Sequence, residues 1–114
     1  MSGDVEGYLA ELTGRIEATL GEDLVGVYLM GSAATGGYVP GASDLDVWAL
    51  VRGPLAEAAK RALVARVDQA ALPCPARGLE LVVARFGDGP EPRVELNLND
   101  GPRMARRVAL DASD

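Results

Sequence analysis

Histidine is absent from the 114 residues, and Cys74 is the one cysteine. These gaps exclude histidine-based zinc sites, any His-dependent triad and an internal disulfide. Cys74 reads as a small apolar residue with no chemistry. Aromatic residues make up 4%, so core volume has to come from Leu, Val and Ala. Cations are outnumbered: 11 Lys and Arg against 17 Asp and Glu give a formal charge of −6. A domain that grips nucleic-acid phosphates needs a basic field, so no nucleic-acid partner is expected. No apolar run approaches the ~18 residues that span a bilayer, so no membrane partner is expected either. The opening Met1-Ser2-Gly3-Asp4-Val5-Glu6 is acidic where a secretory signal is basic. The expected location is the cytoplasm. What remains is one ordinary domain, large enough to hide roughly 65% of its unfolded surface.

Val5, Leu9, Leu12, Ile16 and Leu20 recur at steps of four, three, four and four, which predicts an amphipathic helix closed by Gly21. Leu24–Met30 is a short apolar run and predicts a buried strand. Gly31-Ser32 ends it, Ala33–Thr35 predicts a helical turn, and Gly36–Gly41 predicts a loop. Leu45–Val51 predicts a second strand and Leu55–Ala71 a second main helix. Leu79–Phe86 predicts a third strand and Arg93–Leu98 a fourth. The Gly-, Pro-, Arg- and Asp-rich stretch from Asn99 predicts linker or tail. The expected class is α/β or α+β, a mixed sheet of about four strands with two main helices. Residues 4–100 form the expected domain and 101–114 the tail.

Three short segments carry the chemistry. Gly31 lacks a Cβ, so a phosphate can approach the backbone there, and the turn N–H groups with the Ser32 hydroxyl can donate to it. A tight capped turn is the plainer reading of that dipeptide alone. Ser43-Asp44-Leu45-Asp46 places two carboxylates two residues apart at a strand start, on one face and about 7 Å apart. Oxygen ligands so placed suit Mg²⁺. Glu80 sits second in the otherwise apolar Leu79–Val83. It is either an acid at an exposed strand end or a third carboxylate facing the Asp pair.

Together, Gly31-Ser32 after an apolar strand, eleven residues before Asp44-Leu45-Asp46, and Glu80 early in a third strand resemble the nucleotidyltransferase superfamily with the DNA polymerase beta-like core. Gly31–Tyr38 and Ser43–Asp46 look most like aminoglycoside adenylyltransferases that act on streptomycin and spectinomycin. Leu79–Val83 is similar to the strand carrying their catalytic glutamate. The resemblance implies a nucleotidyltransferase fold, with Asp44, Asp46 and Glu80 as catalytic and metal residues and Mg²⁺ as cofactor. It further implies that Gly31, Ser32 and Ser43 bind a nucleoside triphosphate such as ATP. The implied reaction moves a nucleoside monophosphate to an acceptor hydroxyl, of an aminoglycoside or of a protein, with release of pyrophosphate.

The resemblance covers Val5 to Met104, the first half of the family pattern. A helical domain follows in those adenylyltransferases, so this chain is expected to act as a half-site, with self-association or a helical partner supplying the other wall. Two alternatives stay open: an antitoxin-type minimal nucleotidyltransferase acting on a partner protein, and a non-catalytic nucleotide-binding fragment. Other residues take structural readings. Trp48 is expected in the core and Tyr38 over its glycine loop. Lys60 and Arg61 are expected on a solvated helix face, with a phosphate role as the alternative. Glu95 is expected to point outward on an edge strand, where a charge discourages pairing.

Overall fold

A computed structural model describes residues 3–87 and 89–110. Among them run α1 (Gly3–Leu20), a 3₁₀ turn (Gly21–Asp23), β1 (Leu24–Met30), α2 (Gly31–Thr35), β2 (Leu45–Val51), α3 (Glu57–Val67), β3 (Leu79–Phe86), β4 (Pro92–Gly101) and β5 (Met104–Ala109). The strands form one mixed sheet in the order β1-β2-β3-β4-β5. The β2–β3 pair is parallel, joined across α3, and the other pairs are antiparallel. This is the expected α+β class, with one strand more than the sequence suggested.

The chain folds as two layers. Leu45, Val47, Ala49 and Val51 of β2, Leu79, Leu81 and Val83 of β3, and Leu96 and Leu98 of β4 are buried in one cluster. Val5, Tyr8, Leu12, Ile16 and Leu20 of α1 and Leu63, Val64 and Val67 of α3 complete it. Tyr8 takes a core place, and Leu9 is only partly buried against the cluster. Because strand side chains alternate, Asp46, Trp48, Leu50 and Glu80 lie on the opposite, open face.

Several expectations are corrected. The helix expected over Leu55–Ala71 spans Glu57–Val67. Ala56 is extended, and at the far end Asp68 leaves the helix as its carboxylate accepts the Ala71 N–H at 2.9 Å. Trp48 is not core: it lies half-buried on the open face, paired across strands with Tyr28. The stretch read as tail forms the end of β4 and all of β5, up to Leu110, which packs against the core. Arg106 holds β5 down by pairing with Asp68 at 3.0 Å and Asp100 at 2.9 Å. Residues 111–114 of that tail lie outside the described residues.

Glu95 does not point outward, and β4 is not an edge. A bulge at Val83/Ala84 shifts the β3–β4 register and turns Glu95 inward. There it is 6% exposed and accepts the Leu55 N–H at 2.8 Å and Arg85 Nε at 3.0 Å. Lys60, expected in solvent, is buried too. Its Nζ donates to the Leu110 carbonyl at 2.6 Å and stands 3.8 Å from Glu95. Arg61 is exposed, as expected, and pairs with Glu57 one helical turn away. Tyr38 packs against the core, and Cys74 is buried.

Candidate active site

The site grows from the end of β1. Met30 is extended, and the next residue, Gly31, adopts φ +66 and opens α2. Residues with a Cβ pay about 1–2 kcal/mol for that backbone. Space makes the same demand. Met30 pairs with Asp46 on β2, so the Gly31 turn lies against the Asp46 side chain. A Cβ on Gly31 would overlap Asp46 Oδ2. Glycine is therefore needed both for the turn and to let backbone rest on a carboxylate. Ser32 follows in the first turn of α2, and its carbonyl accepts the Gly37 N–H at 2.9 Å.

The loop that leads to β2 closes on itself. The Val39 N–H donates to Ser43 Oγ at 2.9 Å, and the Ser43 N–H returns to the Val39 carbonyl at 2.9 Å. The Ser43 hydroxyl oxygen is thus occupied in shaping the loop. Asp44 precedes the strand, and its Oδ1 accepts Arg77 Nη1 at 2.8 Å.

Asp46 and Glu80 are register partners on the parallel strands β2 and β3, and their carboxyl groups come close enough to share a hydrogen bond when one is protonated. Burial, and then repulsion from Asp44, raise the Asp46 carboxyl above its ordinary value, while the hydrogen bond from Glu80 works the other way. Glu80 is raised by burial, by repulsion from Asp46, by that hydrogen bond and by Asp44. Both acids are raised, so the pair resists carrying two full charges, and a proton shared between them relieves that repulsion. Three carboxylates crowd here, and two of them are held at a cost in their ionised form.

The sequence-derived residues therefore divide. Gly31, Asp46 and Glu80 are in contact, Ser32 adjoins them, and Asp44 is near enough to repel both acids. Among the described residues there is no ready cluster of three or more metal-ligating side chains, because Asp44 is turned to Arg77. Arg77 carries no sequence signal: it sits in the loop between α3 and β3, among Pro73, Pro75 and Gly78. Asn97 and Asn99 also share this face, since Asn99 pairs with Glu80 and Asn97 with Val82. Two amides at alternate positions of an apolar strand are the signal that could have marked them.

No protein-family model matches the chain, and a search of curated proteins finds no match. Among solved structures it is similar to the spectinomycin adenyltransferase AAD(9) from Enterococcus faecialis, solved with ATP and spectinomycin. The TM-score is 0.65 at 18% identity, over 90% of this chain and 48% of that one. The fold is nucleotidyltransferase-like. The chain spans about half the length of that neighbour.

Proposed function

We propose that this chain is the catalytic half of a nucleotidyltransferase that moves AMP from ATP to an acceptor hydroxyl. The observation that carries the reading is the Asp46–Glu80 pair, joined across parallel strands beneath the Gly31 turn on the face the helices leave open. The donor set fits Mg²⁺, because all the candidate ligands are hard carboxylate oxygens. Asp44 and Asp46 would hold it, with Glu80 beside them, and Asp44 would exchange Arg77 for the ion. When bound, Mg²⁺ neutralises phosphate charge and favours in-line displacement at the α-phosphorus.

The chain's own groups supply the rest. The backbone of the Gly31 turn and the Ser32 hydroxyl donate to phosphate oxygens. Positive charge beside Asp46 offsets the repulsion that raises both acids. Glu80 is then ready to take the acceptor proton. The acceptor oxygen bonds to the α-phosphorus, the bond to the bridging oxygen breaks, and pyrophosphate leaves. Positioning and charge neutralisation supply most of the acceleration.

The acceptor belongs to a small molecule, as spectinomycin does for the neighbour and as would suit a resistance enzyme, or to a partner protein. The site needs a second wall. Beyond the carboxylates, the open face carries an apolar groove of Tyr28, Met30, Trp48, Leu50, Phe86 and Pro92. Tyr28 is 50% and Phe86 60% exposed. A helical partner, a further domain or a second copy of the chain would cover it. No helix among the described residues is long and apolar enough to cross a membrane, and ATP as donor puts the reaction in the cytoplasm.

Calorimetric titration with Mg²⁺ and a non-hydrolysable ATP analogue tests the reading. Wild-type chain should bind only when Mg²⁺ is present, and Asp46→Asn should lose that binding while keeping its circular-dichroism spectrum. Unchanged affinity in Asp46→Asn overturns the assignment.

A further inference from the structure

The open face carries a second feature in register with the carboxylates. Asp46 pairs with Glu80, Glu80 with Asn99, and Asn99 with Arg107 on β5. Directly paired residues project from the same face, so these four form a row across the sheet. Asn97, Asn99, Arg107 and Ala109 line one open cavity of about 310 Å³. Asn99 Nδ2 donates to Asn97 Oδ1 at 2.6 Å. That bond leaves the Asn97 amide nitrogen and the Asn99 amide oxygen available to a ligand.

The two arginines of β5 differ. Arg106 points to the helix side and is neutralised by Asp68 and Asp100. The Arg107 side chain is exposed and makes no hydrogen bond or ion pair with the described residues. In a chain of net charge −6, it is a local cation set beside two amides. The row also has a direction. The Gly31 turn lies on the β1 side of the carboxylates and Arg107 on the far side. A triphosphate seated at Gly31 therefore does not occupy the Arg107 end. Strands lie about 4.8 Å apart, so the Glu80 and Arg107 backbones are separated by about 10 Å. That is the span of a small metabolite with a hydroxyl at one end and an anion at the other.

Building on the nucleotidyltransferase reading, we infer that Asn97, Asn99 and Arg107 form the acceptor-recognition site, and that it selects a hydroxyl compound bearing a phosphate or carboxylate. A guanidinium can clamp such a group with two parallel hydrogen bonds, and the amides can satisfy the hydroxyls between. At the Arg107 end of the row an anionic group is favoured over a cationic one.

The test follows side-chain amide and Arg Nε–H signals of ¹⁵N-labelled full chain by NMR. Glucose 6-phosphate, glucose and streptomycin are added in turn, without nucleotide. The sugar phosphate should shift Asn97, Asn99 and Arg107, while glucose and streptomycin should not. Arg107→Glu should weaken the response at least about tenfold, and Arg107→Lys should keep part of it. No response to the sugar phosphate, a preference for streptomycin, or an Arg107→Glu response equal to wild type each overturns the inference. A separate titration with Mg²⁺ and the ATP analogue should move Gly31 and Ser32. Its failure counts against the nucleotidyltransferase reading and not against a bound anion at Arg107.

Discussion

Gly31→Ala probes how tightly the backbone turn is fitted to the Asp46 carboxylate. Two costs add. The left-handed backbone at φ +66 costs a residue with a Cβ about 1–2 kcal/mol. The new methyl overlaps Asp46 Oδ2 and crowds its Cγ and Cβ, and overpacking of this kind costs about 1–3 kcal/mol. The sum, about 2–5 kcal/mol, is a large share of the ~5–15 kcal/mol that holds a domain together. Urea denaturation of the metal-free chain should show a lower midpoint with an unchanged slope. The two costs separate in a double-mutant cycle with Asp46→Ala. With that carboxylate gone the overlap with Oδ2 and Cγ disappears and only a tight contact with the Cβ remains, so Gly31→Ala should then cost not much more than about 1–2 kcal/mol. Asp46 displaced by the methyl also leaves Glu80, so Mg-nucleotide binding should fall in the single mutant. A Gly31→Ala chain within about 0.5 kcal/mol of wild type, or an equal cost with and without the Asp46 carboxylate, refutes the close approach.

Glu80→Gln should raise Tm by a few degrees in metal-free buffer at neutral pH, since it removes one of the repelling charges. It should spare Mg-ATP binding yet cut transfer roughly 10²-fold or more, as expected for a lost general base; a transfer rate equal to wild type sinks that role. Glu95 supplies the pH dependence. Burial pushes its carboxyl up, but the Leu55 N–H, the Arg85 hydrogen bond, and the Lys60 and Arg85 charges together hold it below its ordinary 4.5. A depressed folded value stabilises above the unfolded one and is lost as pH falls through the folded one. Glu95→Gln should therefore cost about 3 kcal/mol at pH 7, with the gap to wild type closing below pH 4.5. Denaturation curves of the two chains at pH 7 and pH 3 check it, and a gap that stays constant contradicts it.

Much of this was legible in the residues. Leu24–Met30, Leu45–Val51 and Leu79–Phe86 are strands over the residues expected, because each is an apolar run bounded by Gly, Pro or charge. But Leu24–Met30 is not the buried strand expected: it lies at the sheet edge with no fully buried residue, because only one neighbour and one face cover it. Asp46 and Glu80 were legible as acids early in apolar strands, and the family resemblance pointed to their meeting. Their direct opposition depends on inter-strand register, which side-chain pattern alone does not specify. β5 was hidden because Met104–Ala109 is exposed along nearly its whole length and shows no apolar alternation. It is held instead by β4 and by the Arg106 ion pairs. Glu95 was misplaced because one bulged residue reverses strand parity, and Trp48 because one sheet face has no layer over it. Arg77 reaches Asp44 from an irregular loop, where no periodicity applies.

The most direct measurement replaces Mg²⁺ with paramagnetic Mn²⁺, added together with the non-hydrolysable ATP analogue to ¹⁵N-labelled chain. The account predicts that amide signals broaden first at Asp44, Leu45 and Asp46, at Glu80, and at Gly31 and Ser32, and that Asp46→Asn abolishes the effect. Broadening centred on the acidic start of α1 at Asp4 and Glu6, or none near Asp46 with the analogue saturating, would contradict the claim that this carboxylate pair holds the metal and its nucleotide.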